Sequence, residues 1–266
     1  LVRGCKNRLN KQWIEGTIDI IEAWEKRTGN DILVGMDFDH MYKKRDPGLE
    51  YVLAHPRMEL IICEGSEGHV VRDLTAGTRK PIKQDLALMY RRKYKKPIVS
   101  TNGPTYSPGE TPEISRLYQW ASMMLKVQGV GVYAKDYPLD FESEPVKKYA
   151  RQSEILLDFS DSLSDYVALD LASERIVESS GKYQYALATP GELVVYLHRG
   201  EYGKTPESGG TLRIETPGQS SGRITLHVLH PDTGKSESVT ASVRDEIMEV
   251  TLPSYREDLA LHFTRR

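Results

Sequence analysis

Apolar positions change their period along this chain, and the change divides it into two stretches. In residues 6–27, Trp13, Ile14, Thr17, Ile18, Ile21 and Trp24 recur at helical spacing with charged residues between them. Gly29-Asn30 then supplies a helix stop. Short apolar runs follow at 31–38, 58–63, 97–101 and 130–134, each of strand length. Helical segments separate them. Asp46-Pro47 opens one over 46–54, with Asp as cap and Pro in the first turn. A basic-faced segment over 78–93 turns Ile82, Leu86 and Met89 inward. Thr111-Pro112 opens a helix to Val127 that stops at Gly129, and Glu144-Pro145 opens the last, to Phe159. Helices alternating with short apolar strands predict parallel strands joined by right-handed crossovers. The strands lack apolar/polar alternation, as expected when both sheet faces are covered.

After Ser160 the period becomes two. Strands are predicted at 183–188, 192–198, 211–215, 223–229, 237–242, 246–253 and 258–264. Pro190-Gly191, Gly209-Gly210, Pro217-Gly218 and Asp232-Thr233-Gly234 mark the turns between them. About seven short strands predict a sandwich. The expected fold is therefore α/β plus all-β. Residues 1–165 would form a partial (half) parallel β/α barrel, and residues 166–266 an antiparallel β-sandwich.

Composition narrows the function classes. Lys and Arg total 36 against 38 acidic residues, a net charge of −2, which gives no pull toward nucleic acid or anionic membrane. The run Arg91-Arg92-Lys93 with Lys95-Lys96 falls at a helix end, where the dipole favours cations, and lacks interleaved aromatics. No stretch has the ~20 apolar residues of a membrane helix, and none reads as a signal peptide. The chain opens Leu-Val-Arg-Gly-Cys, which reads as processed or as part of something longer. Cys5 and Cys63 make no disulfide framework, so the compartment stays open. There is neither a Gly-x-Ser-x-Gly elbow nor a phosphate-cradling Gly loop, and no cofactor is expected. Tyr outnumbers Phe 15 to 4, a bias that suits sugar contacts and sandwich surfaces alike.

Four βα units amount to half of an eight-stranded barrel. Lys96-Pro97-Ile98-Val99-Ser100-Thr101-Asn102-Gly103 resembles the penultimate strand of retaining glycosidases with a (β/α)8 barrel, which ends in a Glu nucleophile. Gly129-Val130-Gly131-Val132-Tyr133 extends the resemblance. So do Tyr185-Ala186-Leu187-Ala188, Val194-Val195-Tyr196-Leu197 and Leu229-His230-Pro231-Asp232-Thr233-Gly234, which look like a small sandwich labelled collagen-binding in apiosidase-like glycoside hydrolases. The resemblance implies action on carbohydrate. Two departures qualify it. No residue matches the family's acid/base Glu, and Asn102 occupies the nucleophile position. Retaining hydrolysis needs two carboxyl groups ~5–5.5 Å apart, and an amide serves as neither.

In parallel barrels the chemistry sits at the C-terminal strand ends. Four clusters fall there. Asp37, Asp39 and His40 offer two carboxylates and an imidazole; the alternate spacing puts both carboxylates on one strand face, and the competing reading is a polar strand end capping the next turn. Two or three oxygen ligands alone do not specify a metal, and none is expected. Glu64 passes from an apolar strand into a Gly-containing loop, as a catalytic or sugar-binding acid or as a solvated loop residue. Asn102 with Tyr106 could bond and stack on a sugar, or form a turn before Gly103-Pro104. Asp136, in Lys135-Asp136-Tyr137, reads more readily as a surface charge pair. Glu64 and Asp39 are the catalytic candidates; Asp37, His40, Asn102, Tyr106 and Asp136 are the substrate-binding ones. The alternative is a non-catalytic glycan- or protein-binding module with a degenerate barrel. Under either reading the half-sheet leaves open edges and an apolar face. A second copy, an N-terminal half-barrel chain or the sandwich is expected to cover them.

Overall fold

A computed structural model describes residues 2–39, 51, 53–64, 94, 96–100, 112–125, 129–130, 142–200 and 205–264. Helix α1 (Val2–Thr28) carries Lys26 and Arg27 in its last turn, where the dipole favours cations. It stops at Gly29, whose φ of 71° is left-handed and whose N–H reaches the Glu25 carbonyl at 2.8 Å. Its buried face is narrower than the sequence pattern. Ile14 and Ile18 pack with Val34 and Met58, and Ile21 lies at their edge. Trp13, expected on that face, is 66% exposed.

Strands β1 (Gly35–Asp39), β2 (Leu60–Glu64), β3 (Ile98–Ser100) and β4 (Gly129–Val130) form one parallel sheet in chain order. Helix α2 (Pro112–Met124) joins β3 to β4, as the alternation predicted. The expected helix over 78–93 lies outside the described residues. The half-barrel expectation is corrected in its weight: among the described residues the parallel sheet is four open strands with β1 and β4 at its edges, and the larger sheet is antiparallel. Four parallel strands cannot close; a parallel barrel needs about eight. Most of the strand structure is antiparallel instead.

Helix α3 (Glu144–Asp161) leads to that antiparallel part. Its strands are β5 (Asp170–Leu171), β6 (Ile176–Glu178), β7 (Tyr183–Ala188), β8 (Glu192–His198), β9 (Thr211–Glu215), β10 (Gly222–His230), β11 (Lys235–Arg244), β12 (Ile247–Thr251) and β13 (Asp258–Thr264). The expected sandwich of two separate sheets is corrected to one continuous nine-stranded sheet, ordered β5-β7-β8-β13-β10-β11-β12-β9-β6. Its edges β5 and β6 are consecutive in the chain, bridged by a single 3-10 turn, Ser173–Arg175. Laid flat, nine strands would separate those edges by roughly 38 Å at ~4.8 Å per strand. The five Cα steps from Leu171 to Ile176 reach at most ~19 Å. The sheet therefore rolls, and its inner face encloses a core drawn from β6 through β13, including Val195, Leu212, Val228, Met248 and Leu261.

The outer face of β7, β8 and β13 is covered by α2 and α3. Trp120 stacks on Tyr196, with ring centroids 5.2 Å apart and planes within 13°, and Phe159 packs on Trp120 at 5.0 Å. Leu117, Met124 and Ile155 join Leu187, Val194 and Ala260 in the same core. This core runs across the 165/166 position.

One buried polar cluster locks the helices to the sheet. Arg116 of α2 is 1% exposed. Its Nε donates to Asp258 Oδ2 at 2.8 Å and its terminal nitrogen to Glu257 Oε2 at 2.5 Å. Tyr196 also donates its hydroxyl to Asp258 Oδ2, at 3.1 Å. Burial works against the Arg116 charge, but Asp258 and Glu257 outweigh it and hold the guanidinium protonated, above its ordinary value. Register pairs Asp258 with His198. Burial, with the nearby Arg116 charge, pushes the His198 imidazole down to about 3, so it folds neutral.

Replacing Arg116 with Met leaves two buried carboxylates without their cation, and is expected to cost about 3–5 kcal/mol in urea unfolding. His198 sets a pH dependence. Its pKa is 6.5 when unfolded and about 3 when folded, so the unfolded chain binds the extra proton between those values. Stability then falls as pH drops through that window, by up to ~1.4 kcal/mol per unit. Urea midpoints measured from pH 7 to 5 should show this slope, and His198→Gln should flatten it.

Candidate functional site

The C-terminal ends of β1 and β2 bring two of the sequence candidates together. The strands pair in parallel with Asp39 opposite Glu64, the last residue of each. Asp37 lies two residues back on β1, opposite Ile62. The order of the sheet puts both strands at its β1 edge. His40, Asn102, Tyr106 and Asp136 lie outside the described residues. Among the described residues no group of three or more His, Cys, Asp or Glu side chains could hold a metal ion.

A second polar assembly was not predicted. On the outer face of the rolled sheet, register sets Glu192 of β8 opposite Thr264 of β13, Val194 opposite His262, and His262 in turn opposite His227 of β10. Glu192 is 3% exposed. Its Oε1 accepts from the Ser164 N–H at 3.1 Å and pairs with His262 Nε2 at 2.7 Å, and its Oε2 accepts the Ser164 hydroxyl. Burial would raise this carboxyl, but the Ser164 bonds and His262 together bring it below its ordinary value, so it is ionised. An ionised carboxylate only accepts, which assigns the proton to His262 Nε2. Thr264 Oγ1 lies 2.9 Å from the same nitrogen. The order is Ser to Glu to His, with the acid in the middle. A nucleophilic triad needs the imidazole in the middle, so this is a positioning network and not an acyl-transfer site.

The network borders a cleft of about 1150 Å³ between α3 and the faces of β10 and β13. Phe159 and Ile155 wall it on the helix side, and Thr225, His227, His262 and Thr264 line its sheet side. At one end the β10–β11 turn abuts α3: Gly234 has φ of 71°, and a Cβ there would sit 3.1 Å from Ile155. Alternation in β8 and β13 put Glu192 and His262 on one face each, but it carried no sign that the two strands are neighbours. Four strands, β9 to β12, lie between them in the chain, and chain order does not reveal that the two pair.

Glu192→Gln removes the ionised acceptor and leaves Ser164 and His262 with a poorer partner. A loss of about 1–3 kcal/mol is expected by chemical unfolding, with the helical circular dichroism signal retained.

No protein-family model matches this chain, and no curated protein does. Solved structures do. A Paenibacillus polymyxa xyloglucanase of glycoside hydrolase family 44, determined with xyloglucan, aligns over 97% of this chain at a TM-score of 0.51 and 9% identity. An alpha-amylase from Geobacillus thermoleovorans, complexed with acarbose, aligns over 94% at 0.50 and 8% identity. This chain spans 61% and 63% of their respective lengths, under two thirds of each. At such identities the likeness is one of fold, and the fold is glycoside-hydrolase-like.

Proposed function

We propose that this chain is a carbohydrate-active protein, glycoside-hydrolase-like, that acts on an oligo- or polysaccharide at the β1–β2 strand ends. The observation that carries the reading is the register of Asp39 with Glu64 at the C-terminal ends of neighbouring parallel strands. Parallel neighbours stand ~4.8 Å apart, the scale on which paired carboxyl groups cleave glycosides. One carboxyl, protonated, donates to the departing glycosidic oxygen. The other, ionised, attacks the anomeric carbon or stabilises the positive charge that develops there. Asp37, His40, Asn102, Tyr106 and Asp136 would bond or stack on sugar hydroxyls and rings. The neighbours' xyloglucan and acarbose make β-glucans and starch the substrates to try first. The resemblance of Lys96-Pro97-Ile98-Val99 to retaining glycosidases, and of the C-terminal motifs to the sandwich of apiosidase-like enzymes, are narrower forms of the same proposal.

A second reading has its own observation. Asn102 stands where the family's nucleophile stands, which favours a non-catalytic glycan-binding module.

The test is reducing-sugar release from xyloglucan and starch by the wild type, Asp39→Asn and Glu64→Gln. Each variant is expected to lower kcat/KM about 100-fold or more, the low end for loss of a general acid or base. Activity untouched by both substitutions would remove the carboxylate pair from the mechanism. Binding without hydrolysis would establish the second reading in its place.

A further inference from the structure

The cleft beside α3 is remote in sequence from the strand-end carboxylates, and its chemistry is separate. Both hydrogen bonds of His262 use Nε2. Nδ1 makes none among the described residues and is not sealed from solvent, so it opens on the cleft that His262 lines. With Nε2 engaged by Glu192, Nδ1 is the ring nitrogen left to hydrogen-bond a ligand. His227 stands directly across from it on β10 and is exposed. Hydroxyls of Thr225, Ser236 and Thr264 line the same space, and Phe159 and Ile155 supply apolar wall.

We propose that this cleft binds a segment of oligosaccharide chain, with His262 Nδ1 hydrogen-bonding a sugar hydroxyl and the Thr and Ser hydroxyls completing the contacts. The ligand class rests on the carbohydrate-active reading; the cleft itself does not. Its form selects against other occupants. Strand addition by a peptide needs a free sheet edge, but β10 is interior, paired on both sides by β13 and β11. An amphipathic helix needs a continuous apolar stripe, and the exposed row here is Thr225 and His227. Phosphate ligands call for clustered cations. Among the described residues two cations line the cleft, Arg151, paired to Glu154 at 3.0 Å, and Arg223, and Asp158 lies with them. Mixed donors and acceptors over an apolar wall fit a neutral polyol chain, and a volume near 1150 Å³ admits several rings.

The experiment is calorimetric titration of the full chain with maltoheptaose, a xyloglucan oligosaccharide and an oligogalacturonate. The proteins are wild type, the Asp39→Asn/Glu64→Gln double variant, Thr225→Trp and His227→Trp. Thr225 and His227 are exposed, so tryptophan there fills the cleft without entering the core; unchanged Tm checks this. Wild type and the double variant are expected to bind at least one neutral probe with equal Kd. Each tryptophan variant is expected to weaken it tenfold or more, and amide shifts on binding should concentrate at Thr225, His227 and His262. Binding that survives both tryptophans, or no binding of any probe by the wild type, overturns the proposal. Loss of binding in the double variant alone assigns the ligand to the strand ends, which overturns this inference and leaves the function reading intact. Cleft binding with no hydrolysis and no effect of the carboxylate substitutions does the reverse.

Discussion

Arg116 is the point on which the rest of the molecule depends. A guanidinium taken from water costs several kcal/mol, and the cost is met only where carboxylates meet it at close range. Here they come from Glu257 and Asp258, more than 140 positions away along the chain. The ion cluster therefore fixes α2 against the start of β13, and α2 in turn joins β3 to β4 of the parallel sheet. Trp120, one turn further along α2, stacks on Tyr196, whose hydroxyl returns to Asp258. The cation orients the helix, and the aromatic stack supplies apolar burial beside it.

The outer face of β8 and β13 is organised by register in rows. Asp258 with His198 forms a buried polar row. Ala260 with Tyr196 is the apolar row under α2 and α3. Val194 with His262, then Glu192 with Thr264, return to polar chemistry. Each polar row takes a partner from outside the sheet, Asp258 from Arg116 and Glu192 from Ser164 just past the end of α3. Where helix cover ends, over β10, the same face opens as the cleft.

Two surfaces with different chemistry thus lie on two sheets. The ends of β1 and β2 set Asp39 opposite Glu64 in register, where the proposal places bond cleavage. The antiparallel face carries imidazole and hydroxyl groups along the cleft, where the proposal places a held ligand. The two sheets are tied by α2, which lies between β3 and β4 in the chain and packs on β7 and β8 of the rolled sheet.

The local elements were legible in the sequence because each rests on its own neighbours. Period-two runs located β7, β8, β9 and β13 at their observed bounds, and Glu144-Pro145 located the start of α3. Asp39 and Glu64 were recognisable as strand-end acids for the same reason. The short strands β5 and β6 were missed: two and three residues are too few to show a period, yet their closeness in the chain is what rolls the sheet. The exposed side of α1 was misjudged at Trp13, because helical spacing names a stripe and not the width that packing covers. Neither the Arg116 cluster nor the Glu192–His262 pair could be read ahead of the fold. A charged residue in a helix and an acid at a strand start look alike whether solvated or buried. Only strand order and register, set by the rolled sheet as a whole, decide which of them meet.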